Sequence, residues 1–316
     1  MSKNKINRIG EVGYNKLGNK MIITRYTKSN DIDVYFPEFD YTAEHKYYYD
    51  FKNGSIRYPD EIKFIRINEE RLNKIGSKMI IIEYRGTYDI DVYFPEYNWT
   101  AKNVQYDNFK RGTIKCPYEP RVCGVGYLGE GKYTVRGEDG KQTKCYQTWK
   151  NILQRCYDKK EHKKRPLYKD CFACEEWHNF QNFAKWYYDN IYFIGEEQMH
   201  LDKDILNKGN KTYSPSTCIF VPQSINDLFT KRQNHRGKYP IGVCKHGNRY
   251  RVKCNKNSDG IYLGTYDTPE QAFQVYKTYK EKVIKQTIDS YEDIIPEPHY
   301  SKLKKAMYNY KIEITD

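Results

Sequence analysis

The chain has 316 residues, with 54 Lys and Arg against 41 Asp and Glu and a formal charge of +13. That length admits two or three small domains, and the basic balance favours a polyanionic partner. With no run of eighteen apolar residues and no apolar N-terminal stretch, neither a membrane span nor a secretory leader is expected, and nine cysteines without framework spacing suit a reducing, cytoplasmic setting rather than disulfides.

The first predicted feature is a duplication. Residues 17–59 recur at 75–117 without a gap: Asp31-Ile-Asp-Val-Tyr-Phe-Pro-Glu38 returns as Asp89-Ile-Asp-Val-Tyr-Phe-Pro-Glu96, and Phe51, Lys52 and Gly54 return as Phe109, Lys110 and Gly112. In each copy MIITRY or its counterpart and DIDVYF read as short strands ending at Pro, and FKNGSI or FKRGTI as a further strand bounded by Gly. Two small β-rich units are expected. The Asp31/Asp33 and Asp89/Asp91 pairs are acid or metal candidates by residue type. Alternation makes them the wet face of strands whose other face is Ile32, Val34 and Phe36 and their repeats, and that reading is preferred. The duplication resembles a module of phage-encoded proteins that precedes DNA-processing domains, which implies an accessory role in contacting or positioning DNA.

Between residues 146 and 231 the pattern changes to helices with short strands. Trp149, Ile152, Leu153 and Cys156 share one helix face, and Trp177, Phe180, Phe183, Ala184 and Tyr187 make a second amphipathic helix. After them come the extended His200-Leu-Asp-Lys-Asp204, a polar loop, the strand Cys218–Val221 and a helix opening at Gln223-Ser-Ile-Asn226. This strand–loop–strand–helix order is a ββα-metal arrangement. On an extended chain His200, Asp202 and Asp204 fall on one face, where two carboxylates hold a hard divalent cation and an imidazole activates water. Ordinary polarity at a strand end before a Gly turn accounts for the same residues. Cys171-x-x-Cys174, lacking a second matching pair, is a weak zinc signal, and Cys156 and Cys174 fit helix faces as core residues, so zinc is not expected.

These segments resemble the phage HNH-related family in WKNILQRCY, CEEWHNFQNF, HLDKD, NKTYSPSTCIFVP and QSIN. The resemblance implies a metal-dependent DNA endonuclease centre using Mg²⁺ or another divalent cation, with Asp202 matching the metal Asp and Asn226 the helix ligand, and Asp204 beside them. The pattern departs from the family at two positions. Lys203 stands where the general-base His belongs, and Thr217 where the Asn that orients it belongs, leaving His200 as a substitute base and Lys203 as a phosphate contact. The catalytic set this implies is His200, Asp202 and Lys203, with metal ligands Asp202, Asp204 and Asn226, and cleavage stays open.

The last predicted elements are the most basic. Residues 231–285 hold 13 Lys and Arg against 4 Asp and Glu, so this window alone is +9. Ile241–Cys244, Arg249–Cys254 and Gly260–Tyr266 read as three strands joined by turn-rich KHGN and NKNSDG. Alternation puts Arg249, Arg251 and Lys253 on one face and Tyr250, Val252 and Cys254 on the other. Thr268-Pro-Glu-Gln271 is a helix start with Thr at the cap and Pro at the first helical position, followed by the stripe Ala272, Phe273, Tyr276, Tyr279 and Val283. YPIGV, RYRVKC and YLGTYDTPEQAFQVYK resemble the Apetala-type (ethylene-response-factor-like) DNA-binding domain over about 50 residues. The resemblance implies a three-stranded sheet in the major groove, with contacts from Lys245, His246, Arg251, Lys253 and Tyr262. Arg249 joins them by alternation. Gly260 stands where a contacting Arg is usual, so base preference does not carry over.

The expected fold class is α+β and multidomain: β-rich repeats at 1–62 and 63–120, an HNH-like ββα centre with flanking helices at 121–234, the Apetala-type sheet and helix at 235–290, and a tail at 291–316. The expected function is duplex DNA binding by a phage- or mobile-element-encoded protein acting in a bacterial host cell. The alternatives are an active metal-dependent homing-type or nicking endonuclease, and a scaffold whose basic face meets an acidic host or phage protein.

Overall fold

A computed structural model describes residues 7–60, 63, 66–229, 238–256 and 259–315. The chain divides into two compact units, Met1–Cys116 and Pro117–Asp316. Both repeats lie in the first unit. The segments 121–234, 235–290 and 291–316 all lie in the second.

Each repeat is a four-stranded antiparallel sheet in sequential order. The first comprises β1 (Val12–Tyr14), β2 (Lys20–Lys28), β3 (Asp31–Phe36) and β4 (Tyr41–Lys46), and the second β5 (Glu70–Leu72), β6 (Lys78–Gly86), β7 (Asp89–Phe94) and β8 (Trp99–Val104). Strand alternation places Met21, Ile23, Ile32, Val34 and Phe36 in one core and Met79, Ile81, Ile90, Val92 and Phe94 in the other, all fully buried. FKNGSI and FKRGTI are not strands. Phe51 and Phe109 end up on the short helices Tyr48–Lys52 and Tyr106–Lys110, buried as core side chains. The following Gly54 and Gly112 need positive φ (68° and 63°), and a side chain at either would press on the backbone of the loop after β1 or β5. Burying a Phe in this way stabilises by about 1.5–3 kcal/mol, more than one further ladder bond would.

In the second unit the helix Lys144–Tyr157 is capped by Thr143, whose Oγ1 accepts from the Tyr146 N–H at 3.1 Å, and it buries Cys145, Trp149, Ile152, Leu153 and Cys156. The next long helix is Phe180–Asn190. Trp177 precedes it in a 3₁₀ turn and is held there because its carbonyl accepts from Trp149 Nε1 at 2.7 Å. A parallel pair, β9 (Phe172–Ala173) with β11 (Thr212–Tyr213), accompanies the antiparallel pair β10 (Met199–Asp202) with β12 (Ile219–Pro222). The helix Gln223–Phe229 follows β12 directly.

The C-terminal sheet has the order β13 (Val243–His246), β14 (Arg249–Lys256), β15 (Asp259–Tyr266) and is antiparallel throughout. The helix Pro269–Asp289 covers one face. Thr268 caps it by accepting from the Gln271 N–H at 3.2 Å, and Ala272, Phe273, Tyr276, Val283, Ile284 and Ile288 are buried. The residues 291–316, read as a tail, hold a further helix, His299–Asn309, which buries Tyr300, Leu303 and Met307. One continuous apolar core runs from Trp149 and Phe180 through Ile225 to Val243, Val252 and Leu303. A polar tie reinforces it: Glu197 accepts from the Ser224 N–H at 2.9 Å and from Tyr291 Oη at 3.0 Å, joining the start of one helix to the residues just past another. Among the described residues no helix is long and apolar enough to cross a membrane.

Candidate nucleic-acid interface

The register of the C-terminal sheet decides which side chains share its open face. Arg251 pairs with Cys244 on one side and Thr265 on the other, Arg249 pairs with His246, and Lys253 pairs with Tyr262. Paired residues point the same way, so Cys244, His246, Arg249, Arg251, Lys253, Tyr262 and Thr265 face away from the helix. Val252 and Cys254 point inward and are buried. His246, Arg251, Lys253, Tyr262 and Thr265 line one shallow depression of about 360 Å³.

Two sequence assignments change here. Lys245 pairs with Tyr250, which puts it on the helix side of the sheet, so Lys245 and His246 do not act from one face. Arg249 lies on the open face but is engaged: its Nε donates to Asp267 at 2.8 Å and an Nη to the Thr265 carbonyl at 3.1 Å. Among the described residues no carboxylate lies within ion-pair distance of Arg251 or Lys253. Tyr262 is 58% exposed, its hydroxyl 2.8 Å from Thr265 Oγ1. Arg251 Nε is shut off from solvent without a hydrogen-bond partner, an arrangement that costs free energy in the isolated protein. Cys244 and Thr265 were missed by sequence reading. Thr265 is three residues from Tyr262 and reaches the same face only because a bulge in the β14–β15 ladder, between the Val252 and Lys253 pairs, breaks the alternation. Cys244 would have followed from pairing parity had the first strand been placed correctly. It starts two residues later than expected because Gly242, at φ 78°, lies against the Tyr276 ring where no side chain fits. His246 then ends the strand, and Gly247 (φ 62°) with Asn248 closes the hairpin.

The HLDKD segment does not form the expected ligand face. The strand β10 ends at Asp202, so alternation stops before Asp204. Asp202 Oδ1 accepts from the backbone N–H groups of both Asp204 and Ile205 at 2.7 Å, capping the turn. Burial pushes its carboxyl up, with Asp204 adding to the effect. Lys203, assigned to catalysis or a phosphate, points inward: it is buried, its Nζ donates to Asp204 Oδ1 and to the Asn210 carbonyl, both at 2.7 Å, and it sits 5.8 Å from the Tyr213 ring centroid. Thr217 Oγ1 donates to the Thr212 carbonyl at 2.7 Å and serves the same turn. His200 Nε2 is buried without a partner. Asn226 lies half-buried on the helix after β12. Asp202 Oδ1 is already taken up by two backbone N–H groups and Asp204 is paired with the buried Lys203 ammonium, which leaves a poor donor set for Mg²⁺. Asp202 and Asp204, as held in this turn, do not fit that ion. Burial pushes the Cys156 and Cys218 thiols up to about 12, so both are protonated at neutral pH.

Among the described residues, the one grouping of three metal-capable side chains is Asp31, Asp33 and His45 in the first repeat. A guanidinium already occupies it. Arg25 donates to both Asp33 oxygens at 2.6 and 2.7 Å and to Asp31 at 3.0 and 3.2 Å, and His45 Nδ1 lies 2.9 Å from Asp31. The second repeat has the same clamp from a shifted position. Arg85 binds Asp89 at 2.7 and 2.8 Å and Asp91 at 2.6 Å, with Asn103 in the place of His45. Glu83 stands where repetition would put the first copy's Arg25, and Arg85, one same-face step along the strand, replaces it. The strand-face reading of these Asp pairs therefore gains a partner that the sequence did not disclose. The arginines hold all four carboxyls below the usual carboxylate range. A depressed folded value means stability that is present above the unfolded value, about pH 4, and is lost as pH falls below it. Thermal melts should show the first unit losing stability between about pH 4 and pH 2, and Arg25→Gln should flatten that dependence. An equal slope in both proteins would contradict the clamp's role.

Comparison with protein-family models, with curated proteins and with solved structures finds no match to this chain.

Proposed function

We propose that this protein binds duplex DNA through the open face of β13–β15 and does so without cutting it. The observation that carries this reading is the face itself: Arg251 and Lys253, unopposed by any described carboxylate, flanked by His246 and the exposed Tyr262, on a sheet backed by a buried helix. A twisted two- or three-stranded ribbon fits the major groove, where cations meet phosphates and side chains reach base edges. Lysine and arginine contacts release counterions, so affinity falls steeply with salt. A titration of labelled duplex at several salt concentrations tests the reading, and binding that ignores salt would remove it.

The absence of cleavage in this proposal rests on Lys203 and Asp202, both committed to the turn after β10. Supercoiled plasmid incubated with Mg²⁺ or Mn²⁺ is expected to stay supercoiled with wild type and with Asp202→Ala alike. Nicked or linear product from wild type that is lost in Asp202→Ala would establish the endonuclease instead. An acidic protein partner is the reading to adopt if no salt-sensitive DNA binding is found.

A further inference from the structure

The second unit carries another cationic surface, remote in sequence from the sheet. The short helix Lys159–Lys164 has the sequence KKEHKK. At 100° per residue, Lys159, Lys160, Lys163 and Lys164 fall within about 140° of arc, and Glu161 and His162 fall opposite. The burial agrees: the four lysines are exposed, and Glu161 and His162 are half-buried. The inner side is pinned. His162 Nε2 lies 2.8 Å from the Arg155 carbonyl, Asp158 Oδ1 accepts from the Lys160 N–H at 2.7 Å, and Glu161 pairs with Arg165 at 3.0 Å. Among the described residues none of the four lysines has a carboxylate within ion-pair distance.

This arrangement is costly for the free protein. Lys159 with Lys163 and Lys160 with Lys164 are like charges four residues apart, the spacing at which they repel on a helix. The only carboxylate in the helix, Glu161, is engaged by Arg165 rather than by them. The face also lacks apolar side chains, which a membrane-surface helix would need to insert. Four compact ammonium groups without an aromatic or aliphatic neighbour on the same arc suit the phosphate oxygens of a nucleic-acid backbone.

We propose that Lys159, Lys160, Lys163 and Lys164 form a second duplex-backbone contact, separate from the β13–β15 face. The partner is the same class of polyanion, but the inference does not require the sheet to be the main binding surface. The test compares full-length wild type, Lys159→Gln/Lys160→Gln/Lys163→Gln/Lys164→Gln, and Arg251→Gln/Lys253→Gln in fluorescence anisotropy with a duplex of about 40 base pairs across a salt series. Each phosphate contact contributes about 0.9 to the slope of log affinity against log salt, so the quadruple variant should lose about 2–4 of slope and bind at least tenfold more weakly near 0.1 M salt. That loss should appear whether or not the sheet variant binds normally, so failure of the sheet reading and failure of this one are read separately. Gln keeps helix propensity, and an unchanged thermal midpoint confirms that the fold is intact. Unchanged slope and affinity in the quadruple variant overturn the proposal. It is equally overturned if the only loss is of binding to phosphatidylcholine–phosphatidylserine vesicles.

Discussion

Arg251→Ala combined with Lys253→Ala should weaken duplex binding by at least tenfold, about 1.4 kcal/mol, and reduce the salt slope by about 1.8. The magnitude follows from two cations that point from one face and are not neutralised by any described carboxylate. Both lie on the solvent side of β14, while Val252 and Cys254 between and beside them hold the sheet to its helix, so stability should change by no more than about 0.5 kcal/mol. The register supplies an internal control. Lys245→Ala removes a charge from the neighbouring strand but from the opposite side of the sheet, and should cost far less than His246→Ala, one residue on. Arg249→Ala should fall between them, because its guanidinium is already shared with Asp267. Anisotropy across a salt series, with thermal melts for each variant, gives both quantities. Equal losses for Lys245→Ala and Arg251→Ala would mean that net charge, not this face, governs binding.

Replacing Lys203 by His is the second large effect. On the HNH resemblance drawn from the sequence, the change would supply the residue expected as base. By geometry it removes a buried ammonium that holds the turn between β10 and β11. Lys203 has 7% of its side chain exposed and Asp204 has 52%, so the pair is only half screened from water and the ion pair alone is worth little. More stability is lost where the Asn210 carbonyl is left without its donor and where space is emptied beside Tyr213. Together these should cost about 2–3 kcal/mol in urea denaturation, and no nicking activity should appear. Asn210 magnifies the loss because it bridges the turn from both ends, donating to the carbonyls of Lys203 and Thr212 at 2.8 and 2.7 Å. A Lys203→His protein as stable as wild type, or one that nicks plasmid, would show that the inward bonds of Lys203 are dispensable.

Much of the architecture was legible in the residues. Period-two patterning located β3 and β7 to the residue, because Pro37 and Pro95 end them and one face is wholly apolar. The capped helix at Pro269 and the inward Val252 and Cys254 were readable for the same reason: local geometry and burial agree there. Less visible were β4 and β8, polar edge strands interrupted by His45 and Asn103 at positive φ (53° and 54°), a conformation that sequence alternation does not announce. Lys280 was also unforeseen. It lies buried on the inner side of the helix Pro269–Asp289, and burial lowers its ammonium below the usual lysine value.

What the sequence by itself determined is the set of local rules: the duplication, the alternation of each strand, the helix starts and the concentration of positive charge near the C-terminus. These depend on neighbours a few residues apart, which a linear reading contains. The tertiary structure alone decided which charges remain available. Pairing register sent Lys245 and His246 to opposite sides of one sheet, a turn drew Lys203 inward and engaged Asp202, and arginines eight and six residues from Asp33 and Asp91 closed the acidic pairs. Each outcome depends on where a side chain's partner lies in space, and a charge that finds a partner inside the fold is no longer offered to a ligand.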